Sequence, residues 1–388
     1  MPYWPLSQFY FFYFASLGAF MPYIGPYFKS QGYSSVENGQ LLATVMMTKM
    51  VAPILSGWLA DYTGAGLSIV RFSSLAAAAL FLGIFYSGGF YGLLLVMVLF
   101  SFFWNSALPL FEAITLTFLR GDTHRYNCIR LWGSIGFMLA VLAGGAAIEQ
   151  CGYAILPGLL VGLFFGIWVS TLFVPSAPAA PIEQDTTSFF TTLKRPEVIL
   201  FLTGCFLMQA SHAPYYAFYS IYLAENGFSH VTWFGYRLSL TALLWTLAIL
   251  AEVWLFMRLQ GYCRHFSLRQ VLLASIALST MRWLMIGWGG QSVLILSLAQ
   301  LLHAASFAAF HGVAIQLVHR YFVGKTQSRG QSLYGSVSFG AGGAIGTVVS
   351  GYCWAAWGGA TTFTMAAVLS LLSWAIVFFG LRSQVVLE

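Results

Sequence analysis

Twelve stretches of this chain run for close to 20 residues or more with few charges, at 7–28, 36–59, 70–88, 90–118, 127–149, 153–174, 197–222, 233–257, 268–287, 291–316, 330–352 and 358–381. A helix needs roughly 20 apolar residues to cross the hydrocarbon core of a bilayer. Inside lipid every backbone polar group must be satisfied within the chain, which leaves helices or closed barrels. Ten-residue segments of alternating polarity are missing, so a barrel is excluded and helices remain. Composition agrees: 7% of residues are charged and the mean hydropathy is +0.79, against about 25% charged residues in a soluble domain. The expected class is an all-α membrane protein with twelve transmembrane helices.

The first span is not expected to be a cleaved leader, because no basic segment precedes it and "GAFMPYIGPYFKS" places Pro and bulky residues where small ones are needed. Lys and Arg set the orientation. With a cytoplasmic N-terminus, Arg71, Arg120, Arg125, Lys194, Arg195, Arg258, Arg264, Arg269, Arg320, Lys325, Arg329 and Arg382 all fall inside, and Lys29 falls outside. Both termini are therefore expected in the cytoplasm, with the chain multi-pass in the inner membrane of a bacterium. Basic loops beside anionic lipid account for the +6 net charge, so no nucleic-acid partner is called for. A monomer surrounded by membrane lipid is expected. The five cysteines (128, 151, 205, 263, 353) have no metal-ligand spacing and read as buried structural thiols.

One stretch interrupts the spans. "VPSAPAAPIEQDTTSFFTTLKRPE" is Pro/Ala-rich and then polar, a cytoplasmic linker (175–196) between an N-terminal six-helix half (1–174) and a C-terminal one (197–388). The halves are related. "RLWGSIGF" (130–137) pairs with "SLYGSVSF" (332–339), "PYFKSQGYSS" (26–35) with "IYLAENGFSH" (221–230), and "LFEAI" (110–114) with "AFHGV" (309–313), all at offsets near 200 residues. Two pseudo-symmetric six-helix halves repeated in parallel are the signature of the major facilitator fold. "GWLADYTGAG" resembles that family's G-x-x-x-D loop through Gly57 and Asp61, with Tyr62 in place of the usual basic residue.

Charge inside the membrane is expensive and marks function or a partner. Glu112 and Arg130 flank the hairpin "RGDTHRYN" at nearly equal depth, where an ion pair is available, either structural or substrate-binding. Lys49 sits mid-helix in "VMMTKMVAPIL". In "FLMQASHAPYYAFYSIY", Gln209, His212, Tyr216 and Tyr219 share one helix face. Glu252, Arg282, His303 and His311 follow on three consecutive helices. Carboxyl and imidazole groups are the ones that exchange protons in such places, although a core histidine bonded to a carbonyl is an equal reading for each alone. Ser306 shares a face with His303, while His311 lies about 80° around the helix. Arg237 and Glu149 lie nearer helix ends and read as snorkelling side chains. The glycines of helices five and eleven read as close packing.

"CIRLWGSIGF", "MQASHAPYYAFYSIYLAENGFS", "LAEVWLF", "MRWLMIG" and "LLHAASFAAFH" resemble the 3-phenylpropionic acid transporter group, allied to the lactose permease and nucleoside:proton symporters. The resemblance implies a twelve-helix, proton-coupled importer of the cytoplasmic membrane. It implies substrate binding by Glu112 and Arg130, and matches Glu252, Arg282 and His303 to the acid, arginine and histidine of helices eight, nine and ten. The residues themselves add Lys49, Gln209, His212 and Tyr216 as substrate-binding candidates, and His311 beside Glu252, Arg282 and His303 for proton coupling. At the position of the lactose permease's proton-carrying glutamate this chain has Ser306, so the resemblance passes that role to Glu252 or a histidine. The segment "SHVTWFGYRLSL" is several residues longer than in the group.

The leading expectation is a secondary active transporter that imports an aromatic carboxylate with protons. The alternatives are a proton symporter of a neutral sugar or nucleoside, and a drug-exporting antiporter. An intramembrane enzyme would need a nucleophile–base or metal constellation, and no H-E-x-x-H or G-x-S-x-G is present. No cofactor is expected.

Overall fold

The computed structural model describes residues 2–119, 122–175, 189–233, 236–323 and 326–381. The chain divides into two compact units, Met1–Glu183 with His230–Ala242, and Gln184–Ser229 with Leu243–Glu388. The first contains α1 (Tyr3–Ser30), α2 (Ser35–Thr63), α3 (Gly66–Phe81, prolonged by the 3-10 turn Leu82–Phe85), α4 (Phe90–Leu119), α5 (Thr123–Cys151) and α6 (Leu156–Leu172). A capping box of Ser34 and Glu37 starts α2, and Gly64 in the left-handed region ends it. Within this unit α1 packs on α5 and α6, and α4 on α2 and α3.

The second unit contains α7 (Pro196–Glu225), preceded by the one-turn helix Phe189–Leu193, and the greater part of α8 (Leu240–His265). It continues with α9 (Leu268–Trp288) and α10 (Val293–Tyr321, interrupted by the π-turn Ala304–Ala309). The last long stretch starts at Thr326, passes the π-turn Ser336–Gly342 and continues as Gly343–Gly380. Gly358, at φ 75° and ψ −178°, breaks it into α11 (326–357) and α12 (359–380). Among the described residues ten stretches are long and apolar enough to cross a membrane, and Gly358 divides the last of them. With the 28-residue α1 and the break at Gly358, the described residues are consistent with the twelve spans expected.

Helices α1 and α5 meet where Gly136 lies against the backbone of Phe11, and α7 and α11 where a Cβ on Gly346 would sit 2.6 Å from the Ala210 carbonyl oxygen. Backbone atoms cannot step aside as side-chain ends can, and overpacking costs about 1–3 kcal/mol or more. Gly136→Leu and Gly346→Leu are therefore expected to lower the thermal midpoint and the monodisperse yield in fluorescence-detected size exclusion. Midpoints equal to wild type would show that these contacts do not fix the packing.

The internal repeat reappears as a cap. Arg71 on α3 donates to the carbonyls of Thr171 (3.2 Å) and Val174 (2.9 Å) at the end of α6. Arg269 on α9 donates to Phe378 (2.6 Å) and Leu381 (2.7 Å) at the end of α12. Each arginine supplies donors to carbonyls that a helix end leaves unpaired.

Three expectations change. The eighth span does not begin at 233. His230–Trp233 (β1) and Tyr236–Ser239 (β2) form an antiparallel hairpin, and α8 starts at Leu240. The longer segment is this hairpin, so Arg237 is a strand residue, exposed and 2.8 Å from His230 Nε2, rather than a snorkelling helix residue. Cys205 and Cys353 are buried as expected, but Cys128 and Cys151 on α5 are exposed. Most of the linker (176–188), with Arg120, Lys325 and Arg382 and the side chains of Cys263 and Arg264, lies outside the described residues.

Candidate functional site

In the first unit, α4 and α5 carry the acid and the arginine, and α1 supplies an aromatic wall. Phe9 stacks on Phe111 with ring centroids 3.6 Å apart, fixing α1 against α4 one residue before Glu112. The Tyr10 hydroxyl donates to Thr115 Oγ1 at 3.3 Å, one turn beyond. Glu112 is half-buried, with Tyr126 and Arg130 of α5 close enough to act on it electrostatically. The expected direct ion pair is not formed among the described residues. The Arg130 guanidinium lies over the Phe14 ring instead, 3.7 Å from its centroid, and 5.8 Å from that of Tyr10. The R-x-x-G spacing has a steric reason: a Cβ on Gly133 would stand 2.8 Å from both Arg130 Nη1 and Phe14 Cδ2. Glycine there makes room for the guanidinium to lie on the ring, a cation–π arrangement.

Lys49 is held by the turn before it. Asn105 of α4 donates to the Val45 carbonyl (2.8 Å) and to Thr48 Oγ1 (2.9 Å), and Thr48 also bonds Ser101 (2.9 Å). The α2–α4 contact is thus pinned one residue from Lys49. The ammonium is half-buried and has no hydrogen bond or ion pair among the described residues.

The second unit brings together α7, α8, α9 and α10. His303 Nε2 lies 3.4 Å from Glu252 Oε2, linking α10 to α8. Arg282, fully buried, does not pair with Glu252. Its Nε donates to the Ala299 carbonyl (3.1 Å), Nη1 to Ser306 Oγ (3.2 Å) and Nη2 to Gln300 Oε1 (3.4 Å). The guanidinium carbon sits 4.2 Å from the Tyr215 ring centroid and 4.6 Å from that of Trp283. His212 bonds the Met208 carbonyl through Nδ1 at 2.8 Å and packs edge-on to Trp283 at 4.8 Å. Gln209 is buried beside it on the same helix, its Nε2 without a partner among the described residues. Tyr216 is half-buried, 6.2 Å from the His212 ring.

His311 is nearer to His303's face than expected. His303, Phe307 and His311 form one stacked column, with centroids 5.4 and 6.0 Å apart. In a regular α-helix four residues overshoot a full turn by about 40°. The wider π-turn Ala304–Ala309 takes up more residues and cancels that drift. At the far end of the column His311 Nδ1 bonds the Tyr334 hydroxyl of α11 at 3.1 Å. Sequence reasoning missed Tyr334, Gln300, Tyr215 and Phe14. For Phe14 the R-x-x-G spacing was the available signal.

Among the described residues no group of His, Cys, Asp and Glu is placed to hold a metal ion. The model of the MFS_1 like family matches residues 3–365. A probable 3-phenylpropionic acid transporter of Escherichia coli is 28% identical over 367 residues, covering 92% of this chain and 93% of that protein. A maltose permease of Geobacillus stearothermophilus is 26% identical over 356 residues, covering 90% and 87%. The crystal structure of a nucleoside transporter superposes with a TM-score of 0.86 at 16% identity, covering 98% of this chain and 100% of that one.

Proposed function

The chain belongs to the MFS_1 like family of major facilitator transporters, and from that premise we propose that it imports an aromatic carboxylate together with protons across the bacterial inner membrane. It is a multi-pass membrane transporter and not an enzyme. The two-half organisation, the cytoplasmic termini and the monomeric state are part of this reading. The observation that carries it is in the first unit: a half-buried Lys49 without an anion, and an Arg130 guanidinium laid on Phe14 beside Tyr10, Tyr13 and Tyr126. A cation against aromatic rings suits a ligand with a carboxylate at one end and a ring at the other. The Escherichia coli relative bears the name of a transporter for such an acid. Glu112 orients Arg130 through its field; within the second unit, Gln209, His212 and Tyr216 are the substrate-binding residues of this reading. Glu252, Arg282, His303 and His311 couple the proton.

The test is uptake of radiolabelled 3-phenylpropionate into vesicles energised with a pH gradient. Accumulation should exceed the equilibrium level and collapse when a protonophore is added. Uptake indistinguishable from empty vesicles would overturn the substrate, and uptake indifferent to the protonophore would overturn the coupling.

A neutral sugar or nucleoside is the second reading, favoured by the Glu112 carboxylate beside Tyr126, which would accept hydroxyl hydrogens. The two readings part on the charge of the ligand. The amide of 3-phenylpropionate should bind at least about 30-fold more weakly than the acid, since leaving a buried cation unpaired costs several kcal/mol. Equal displacement of label by acid and amide would favour the neutral solute.

A further inference from the structure

Arg282 is a buried cation without an acid. It is fully buried, always protonated for practical purposes, and all three of its bonds among the described residues go to neutral oxygens: the Ala299 carbonyl, Ser306 and Gln300. The nearest carboxylate on these helices, Glu252, is taken by His303. Three of the five guanidinium hydrogens are used, so one on each terminal nitrogen is left.

Around it stand further buried donors. Gln300 is fully buried, and its Oε1 accepts from both Arg282 and the Tyr215 hydroxyl (2.9 Å), which turns its amide N–H₂ away from them. That nitrogen has no partner among the described residues, and neither has the hydroxyl of the fully buried Tyr219, which lies beside the same amide. Buried polar groups are ordinarily bonded, and each exception calls for a reason. Here the exceptions are donors next to an uncompensated positive charge, and an uncompensated buried charge is strongly unfavourable.

We propose that a small monovalent anion binds beside Arg282, held by the two remaining Nη hydrogens, the Gln300 amide and the Tyr219 hydroxyl. Halide and carboxylate share this chemistry. Ser306 of the π-turn and the Ala299 carbonyl before it hold the guanidinium through Nη1 and Nε. Glu252 and His303 lie outside it, so the anion compensates Arg282 without drawing on the acid. This inference does not rest on the transport reading, because binding is measured on the purified protein with no gradient.

The experiment follows the thermal midpoint of the detergent-purified chain by tryptophan fluorescence. Sodium sulfate, neither a monovalent anion nor a carboxylate, is replaced by sodium chloride at constant ionic strength, and in a separate arm by sodium 3-phenylpropionate, up to about 100 mM. A saturable rise of roughly 3–6 °C is expected in at least one arm. It should disappear in Arg282→Gln and weaken at least tenfold in midpoint concentration in Gln300→Leu, which keeps the guanidinium if the first variant fails to fold. A rise with chloride identifies a halide site; a rise with 3-phenylpropionate alone identifies a carboxylate subsite. No rise in either arm overturns the proposal. So does a rise of unchanged size and midpoint concentration in Gln300→Leu, which would place the anion at other cations such as Lys49 and Arg130.

Discussion

Reconstituted Arg130→Gln is expected to take up 3-phenylpropionate at about one hundredth of the wild-type rate or less, at near-normal protein yield. Truncating one partner of a buried charge contact costs about 2–5 kcal/mol, and roughly 3 kcal/mol is a factor of about 100. Yield should hold because Arg130 is half-buried and its close contact is the Phe14 face rather than Glu112. The helices of this unit are fixed by other means, through the Phe9–Phe111 stack, the Tyr10–Thr115 bond and the Asn105 clamp. Glu112→Gln should lose uptake as well, since the carboxylate sets the field in which the guanidinium receives an anion. Wild-type uptake in both single variants would remove the pair from the binding site. Uptake lost in both single variants but restored in the double variant would make it a structural ion pair.

The spans were legible because lipid imposes one length and one polarity on every crossing. The hairpin was not, because "HVTW" and "YRLS" continue the apolar run of α8. Their period of two, with Gly235 between, was the available signal. The arginine caps depend on which helix end packs beside which helix, and hydropathy does not carry that. Yet Arg71 and Arg269 are separated by nearly the offset of the three repeated motifs, so the repeat held the clue. The partner of Glu252 was unreadable for another reason. Arg282 and His303 both lie at suitable depth, and choosing between them requires the rotation of α10. That rotation is altered by a π-turn in "AASFAA", where small residues give no sign of the change in pitch.

The Glu252–His303 contact leads to the second large effect. An organic anion entering a cell at negative potential works against roughly 2.3 kcal/mol per 100 mV. One cotransported proton cancels that term and adds the pH gradient. The proton needs a group that exchanges near neutral pH, and an imidazole, unperturbed at about 6.5, and a carboxyl 3.4 Å apart make a pair across which it can be held. Arg282 stands near enough to His303 to act on it electrostatically. Ser306 is bonded to Arg282, and a serine hydroxyl cannot titrate in this range. Glu252→Gln and His303→Gln should therefore each abolish uphill accumulation driven by a pH gradient. Each should still exchange internal for external labelled substrate, within about threefold of wild type, because exchange requires no deprotonation. The same proteoliposomes serve both measurements. Loss of exchange together with accumulation would assign the pair to substrate binding. Uphill accumulation retained in both variants would move the proton elsewhere, and His311, at the other end of the aromatic column and bonded to Tyr334, would be the next carrier to replace.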